Sequence, residues 1–232
     1  MEENKSSVKN WYNNYVGSQQ KIGINIRHRT ILKKAIAQGL QKDSKVLEIG
    51  CGVGTLTKLL CSHVTKGKIS AVDISDESIK EAKKFLGSYS NVECIVNDMS
   101  NFSNGVKYDF VVLPDVMEHI PVEQHNNLFK VLSEHTHDES RILINVPHPT
   151  FIEWLRIHEP ALMQIIDQPI HSDELCKNAY EHGYILASLN SYCLYHQDPD
   201  YQFIVFKKNV AYQSMAKKSK IVLKKEDIKS KL

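Results

Sequence analysis

The chain has 232 residues, 42% of them hydrophobic and 24% charged, and its 29 Lys and Arg against 27 Asp and Glu leave a formal net charge of +2. A chain of this length buries roughly 70% of the surface its unfolded form exposes, which fits one large domain or a domain with an insertion and excludes disordered and fibrous classes. No apolar run reaches the ~18 residues of a membrane span and the start, MEENKSSVKN, is polar, so a cytoplasmic protein without a membrane partner is expected.

The first ten residues show no period and are expected to be mobile. Trp11, Tyr12 and Tyr15 open an aromatic stretch; Ile31, Leu32, Ala35, Ile36 and Leu40 then recur at helical spacing, with Gly39 at the stop. This predicts a helical arm over 20–40, within an N-terminal lid of residues 1–41. Beyond it strands and helices alternate. Lys45–Gly50 (KVLEIG) reads as a buried strand, Gly54–Val64 as a helix, and Lys68–Asp73 (KISAVD) as a second strand. A helix over Asp76–Leu86, capped by Ser75, leads to a third strand at Val92–Val96 and a fourth at Tyr108–Leu113. A helix over Val122–Ser133 and a fifth strand at Arg141–Val146 follow. Such alternation predicts parallel βαβ units with helices on both faces of the sheet.

From Pro147 to Pro169 the chain reads as helical but interrupted by prolines, and Ser172–His182 as a helix ended by Gly183. Residues 147–182 are thus expected as a helical insertion after strand five. Tyr184–Tyr195 and Tyr201–Phe206, joined by a turn at Asp198-Pro199-Asp200, supply an antiparallel edge, which completes seven strands and a domain over 42–207. The remainder, 208–232, reads as a basic, flexible tail. From Lys207 onward nine lysines face only Glu226 and Asp227, so the body keeps 20 basic and 25 acidic residues. A mildly acidic body is not the footprint of a nucleic-acid grip. The five cysteines form no C-x-x-C pair, which points to a reduced chain without a structural zinc.

Chemistry concentrates after the first strand. In Glu48-Ile49-Gly50-Cys51-Gly52-Val53-Gly54, glycines at alternate positions let the backbone turn sharply and approach a ligand where a Cβ would clash. The spacing is G-x-G-x-G, neither the dinucleotide fingerprint nor a P-loop, and the preceding acid suits a cationic ligand better than a pyrophosphate. Asp73 ends the second strand, where a carboxylate accepts from both hydroxyls of a ribose, and Asp98 follows the third, placed to accept from an exocyclic adenine amine.

VLEIGCGVGT, the acid of AVDIS, the acid of NDM and LPDVMEHIP after strand four occur in the order found in class I S-adenosylmethionine-dependent methyltransferases. The chain resembles that family, in its small-molecule type similar to ubiquinone and trans-aconitate methyltransferases, strongly over 42–146 and in outline over 183–207. The resemblance implies an α/β, Rossmann-like three-layer sandwich that binds S-adenosylmethionine and yields S-adenosylhomocysteine. It also implies that Glu48, Gly50, Gly52 and Gly54 surround the methionine part, Asp73 holds the ribose and Asp98 the adenine. Leu113 and the neighbours Cys51, Ile74 and Met99 would lie beside the cofactor.

A positioned base helps methyl transfer to a hydroxyl, and His119 and His148, after strands four and five, are the candidates. The expected acceptor is a polar small molecule, most naturally a sugar or other hydroxylated metabolite. Asp115, Glu118 and His119 have the spacing of a metal site like that of some RNA 2′-O-methyltransferases, but a metal is not the favoured reading. Tyr15, Arg27, Phe151 and Trp154 are expected to touch the acceptor, with Tyr12, Gln19 and Gln164 in the same pocket walls. A cofactor-binding protein without turnover is the rival class, nucleic acid is disfavoured as a partner, and a homodimer is left open.

Overall fold

The computed structural model describes residues 2–211, 214 and 216–229. Seven strands form one sheet: β1 (Lys45–Ile49), β2 (Lys68–Asp73), β3 (Val92–Val96), β4 (Tyr108–Pro114), β5 (Thr136–Pro147), β6 (Tyr184–Tyr192) and β7 (Tyr201–Lys208). Their order is β3-β2-β1-β4-β5-β7-β6. β1 through β5 pair in parallel, whereas β7 is antiparallel to both of its neighbours. The single antiparallel strand therefore sits one place in from the edge, and β6 is outermost.

β1 and β2 are buried along nearly their whole length because helices cover both faces. On one side Leu47, Val111, Ile142 and Ile144 pack with Leu128, Phe129 and Leu132 of α5 (Val122–Glu134) and with Leu175 and Ala179 of α7 (Ser172–Glu181). On the other, Val46, Val112 and Leu143 pack with Ile31 and Ala35 of α2 (Ile26–Ala37) and with Leu56 and Leu60 of α3 (Thr55–His63). The chain runs outward from β1 to β3 and then returns to start β4 beside β1. At such a switch point the crossovers diverge and leave a crevice at the strands' carboxyl ends.

Three boundaries depart from expectation. Residues 2–10, read as lacking a period, are helical: they belong to α1 (Glu2–Ile22), and the arm is two helices parted at Gly23, whose φ is +59°. Polar anchors dock α1 on α4 (Asp76–Phe85): Lys9 pairs with Asp76 at 3.3 Å, Ser75 Oγ donates to Asn13 Oδ1 at 2.6 Å, and Gln20 donates to Glu81 at 2.9 Å. A helix held by polar contacts carries no hydrophobic period. Next, β6 stops at Tyr192 because the buried Asp200 carboxylate accepts from the N–H groups of Leu194 and Tyr195, at 2.6 and 2.8 Å, and bends the chain there. In the insertion, α6 (Pro149–His158) is followed by a 3₁₀ turn at Pro160–Leu162 and by irregular chain up to α7. The tail beyond β7 includes α8 (Lys220–Lys229).

Candidate active site

Leaving β1, the chain turns through Gly50, Cys51 and Gly52 into α3. Gly50 has φ +72°, and a Cβ there would lie 2.3 Å from Val116 Cγ2. Gly52 has φ +53°, and its Cβ would meet Gln19 Oε1 of α1 at 3.0 Å. Both positions thus require glycine on conformational and steric grounds. The N–H groups of Gly50 and Cys51 both donate to the Val72 carbonyl, at 2.8 and 3.0 Å, which stitches the loop to β2. Loop, strand ends and arm together line a cavity of about 430 Å³.

Four acids line it, Asp73, Glu48 and Asp98 at the ends of the first three strands and Asp115 after β4. Asp73 accepts from the Gly52 N–H and the Ser75 N–H, each at 2.8 Å, so the end of β2 sets the shape of the glycine loop. Burial nevertheless raises its carboxyl above the usual range. Glu48 is fully buried at the cavity wall and neither of its carboxyl oxygens has a hydrogen-bond partner. Burial, helped by the Asp73 charge, pushes it up to about 8, and the neighbouring Thr57 hydroxyl opposes that shift without meeting hydrogen-bond geometry. Leaving a carboxylate buried and unpaired is costly, so this wall is built for a ligand that brings a positive charge or donors. Asp98 is exposed at the cavity's far end, where its Oδ1 accepts from the Ser100 N–H and Oγ at 2.9 and 2.7 Å. Beside it Asn97 accepts from the Met99 N–H at 2.7 Å, holding Met99 at φ +61°.

The arm forms the cover. Val8, Tyr12 and Gln19 come from α1, and Arg27 and His28 from α2. His28 Nδ1 accepts from the Asn25 N–H at 3.1 Å, so the neutral ring presents Nε2–H to Thr55 Oγ1 at 3.1 Å. Burial and the neighbouring Arg27 push His28 down to about 4.

On the opposite side Arg27 Nε lies 3.1 Å from Asp115 Oδ2, and Arg27 Nη1 donates to the Tyr201 hydroxyl at 3.1 Å. Asp115 follows β4 in the left-handed region, φ +54°, and its other oxygen faces Asn145 Nδ2 at 3.5 Å. His119, in the 3₁₀ turn Met117–His119, donates through Nδ1 to the Ile166 carbonyl at 2.6 Å, with Asp167 Oδ1 at 3.1 Å. Its Nε2 is 3.8 Å from Glu118 Oε1, too far for a hydrogen bond. Burial opposes the charged ring, but Glu118, Asp167 and the Ile166 carbonyl lift His119 to about 9.

Of the residues singled out in the sequence, Glu48, Gly50, Cys51, Gly52, Asp73, Ile74, Asp98, Met99, Arg27 and His119 line this cavity. Burial raises the Cys51 thiol far above its usual range and leaves it inert. Gly54 is not at the wall; a Cβ there would press on Leu86 Cδ1 at 3.0 Å, so its place is between α3 and α4. Leu113 is sealed in the core, and Pro114 lines the cavity in its stead. His148, Phe151 and Trp154 stand outside it. The His148 N–H donates to the Asp200 carbonyl at 2.8 Å at the start of α6. Phe151 lies 4.8 Å from the His196 ring, and Trp154 stacks on His158 at 4.8 Å. The insertion reaches the cavity through Gln164, whose buried Oε1 has no partner. The Tyr15 side chain lies outside the described residues. Asn25, Thr55, Asn97, Val116 and Tyr195 join the lining without having been singled out; the Asn25–His28 capping pattern was the one signal available. Among the described residues no three His, Cys, Asp or Glu side chains converge to hold a metal ion. Asp115 is turned to Arg27, and His119 to Asp167.

Comparison with known proteins matches residues 46–139 to the family described as "Methyltransferase domain". A malonyl-[acyl-carrier protein] O-methyltransferase of Ilyobacter polytropus is 30% identical over 100 residues, 43% of this chain and 35% of that one. One from Anoxybacillus flavithermus is 27% identical over 163 residues, 56% of this chain and 62% of that one. The chain thus spans between about a third and three fifths of these relatives' lengths. Among solved structures, magnesium protoporphyrin IX methyltransferase from Synechocystis with bound S-adenosylhomocysteine superposes with a TM-score of 0.68 at 17% identity, over 88% of this chain and 99% of that one. The N-methyltransferase NodS of Bradyrhizobium japonicum, with the same ligand, gives 0.63 at 16% identity over 78% and 85%. These likenesses show the fold.

Proposed function

We propose that this chain, which carries a methyltransferase domain in the class I S-adenosylmethionine-dependent fold, is itself a methyltransferase that moves the methyl group of S-adenosylmethionine to an oxygen of a small-molecule acceptor. One observation carries the proposal: Glu48, a buried carboxyl with both oxygens unpartnered, lines the cavity beside the glycine loop. A cationic ligand seated there would draw off the Glu48 proton and pair with the carboxylate.

The residues fit this donor. Glu48 and the unpartnered Gln19 Oε1 would accept from its ammonium end, Asp73 from the ribose, and Asp98 from the adenine amine. The bound donor supplies a methyl group already activated on a sulfonium. The protein's task is then to hold the acceptor in line and exclude water. The α1–α2 arm serves as the lid, through Tyr12 and Gln19, and the insertion after β5 adds Gln164 to the acceptor wall. The curated relatives are O-methyltransferases by name, which supports oxygen as the receiving atom. No described helix is long and apolar enough to cross a membrane. Incubation with methyl-labelled donor and a metabolite extract tests the proposal: label must pass to a small molecule, and a protein that neither binds the donor nor transfers label refutes it.

A further inference from the structure

The cavity is small for two ligands. Its volume of about 430 Å³ lies near the low end of what one drug-sized molecule fills. The partners assigned to the donor, Gln19, Glu48, Asp73 and Asp98, are spread along it. An acceptor can therefore bring in its reacting end only, and the rest of it lies outside. Gln164 and Tyr195 form the cavity's wall on the side of the insertion, and Tyr195 reaches the surface. His196 follows it in the chain, and the His196 ring lies 4.8 Å from that of Phe151 on α6. From Phe151 a column of rings runs along one face of that helix through Trp154 and His158, while Ile152 seats the helix on the core. The planes of Phe151 and Trp154 are 8° apart with centroids at 6.3 Å, and those of Trp154 and His158 are 16° apart at 4.8 Å. His158 Nδ1 donates to the Trp154 carbonyl at 2.9 Å, which fixes the last ring. Trp154 is 42% exposed, and His158 and His196 are exposed beside it.

We propose, on the methyltransferase reading above, that the acceptor is an aromatic compound whose ring system lies across this column while the atom to be methylated enters the cavity past Tyr195. The geometry of the rings selects that class. Rings stacked on one another turn their faces inward along the column and offer their hydrogen-bearing edges at its side. The edge of an aromatic ring is its positive part and the face its negative part, so a row of edges attracts the flat face of another π system. A saturated ring or an acyl chain has no such face and gains only from the area it buries. The three rings hold one another in place before a ligand arrives, which lowers the entropy lost on binding. A sugar would find few partners for its hydroxyls here, because the neighbouring polar groups are engaged: Arg156 donates to the Asp167 carbonyl at 3.0 Å, and Glu153 faces His171 at 3.7 Å.

The test titrates the full chain, loaded with S-adenosylhomocysteine, with naphthol and with decahydronaphthol, which share a hydroxyl and differ in whether the rings are aromatic. Naphthol should bind about tenfold more tightly. Trp154→Ala should erase most of that preference, and Trp154→Phe, which keeps a ring edge, should retain most of it. Affinity for S-adenosylmethionine, read by calorimetry, should stay within about twofold of the wild type in both variants, because Trp154 stands outside the cavity. With methyl-labelled donor, label should enter aromatic acceptors, and Trp154→Ala should raise their KM about tenfold. Equal binding of the two probes, an undiminished preference in Trp154→Ala, or label entering only non-aromatic acceptors overturns the aromatic assignment. A dimer that Trp154→Ala dissociates, with naphthol binding unchanged, overturns it as well and gives the column to a second copy of the chain. A protein that binds neither S-adenosylmethionine nor S-adenosylhomocysteine overturns the methyltransferase reading instead.

Discussion

His28 Nε2 lies 3.1 Å from Thr55 Oγ1, so the arm's second helix is fastened to the first residue after the glycine loop. The same ring caps the helix, and that cap needs it neutral, because Nδ1 accepts from the Asn25 N–H. Folded His28 titrates near 4 against an ordinary 6.5, so between those values the unfolded chain binds the extra proton. Stability from this group is complete above about pH 6.5 and is lost as pH falls toward 4, by up to about 3 kcal/mol. Urea unfolding at pH 7 and pH 5 should show a larger loss for the wild type than for His28→Gln. Equal losses would remove His28 from this role.

Gly52 and Gln19 make the lid depend on the loop beneath it. Gly52→Ala places a Cβ 3.0 Å from Gln19 Oε1 and asks alanine to hold φ +53°. Donor affinity should fall by at least about tenfold, the strain costing on the order of 1–2 kcal/mol. Folding stability, read by urea unfolding, should fall as well, and Gly52→Ala combined with Gln19→Ala should recover part of that stability, since the clash goes and the strain stays; donor affinity stays low because Gln19 also faces the donor. A double variant no better than the single one would show that α1 does not press on the loop.

Asp73→Ala strips the acceptor from two N–H groups, those of Gly52 and Ser75. The loop should loosen and donor affinity should drop about 10- to 150-fold, the value of one charged hydrogen bond. Far-ultraviolet circular dichroism should stay native, because the core strands are untouched. Unchanged donor binding would argue that Asp73 only braces the turn.

The sheet and its crevice were legible because β1, β2 and β4 are short apolar runs and the acids fall at their ends, where period and position agree. Glu48, Asp73 and Asp98 could be placed on strand numbering alone. The arm was harder: Lys9, Asn13 and Gln20 hold α1 through polar contacts to α4, so its first turns looked like a free end. His148, Phe151 and Trp154 drew notice as residue types suited to an acceptor pocket, yet their placement depends on the direction in which α6 leaves β5. No local pattern encodes that direction. The pairing of His119 was equally hidden, since Asp167 reaches it from 48 residues further along the chain.

Glu48 gives the most direct test. In the free protein its carboxyl titrates near 8 and is mostly protonated at neutral pH; a cationic donor against it must expel that proton. Calorimetric titration of S-adenosylmethionine at pH 7, in buffers of differing ionisation enthalpy, should show release of close to one proton. Glu48→Gln should show almost none and bind about 10- to 150-fold more weakly. Wild type and variant binding the donor equally, with no proton released by either, would contradict a sulfonium compound seated on Glu48.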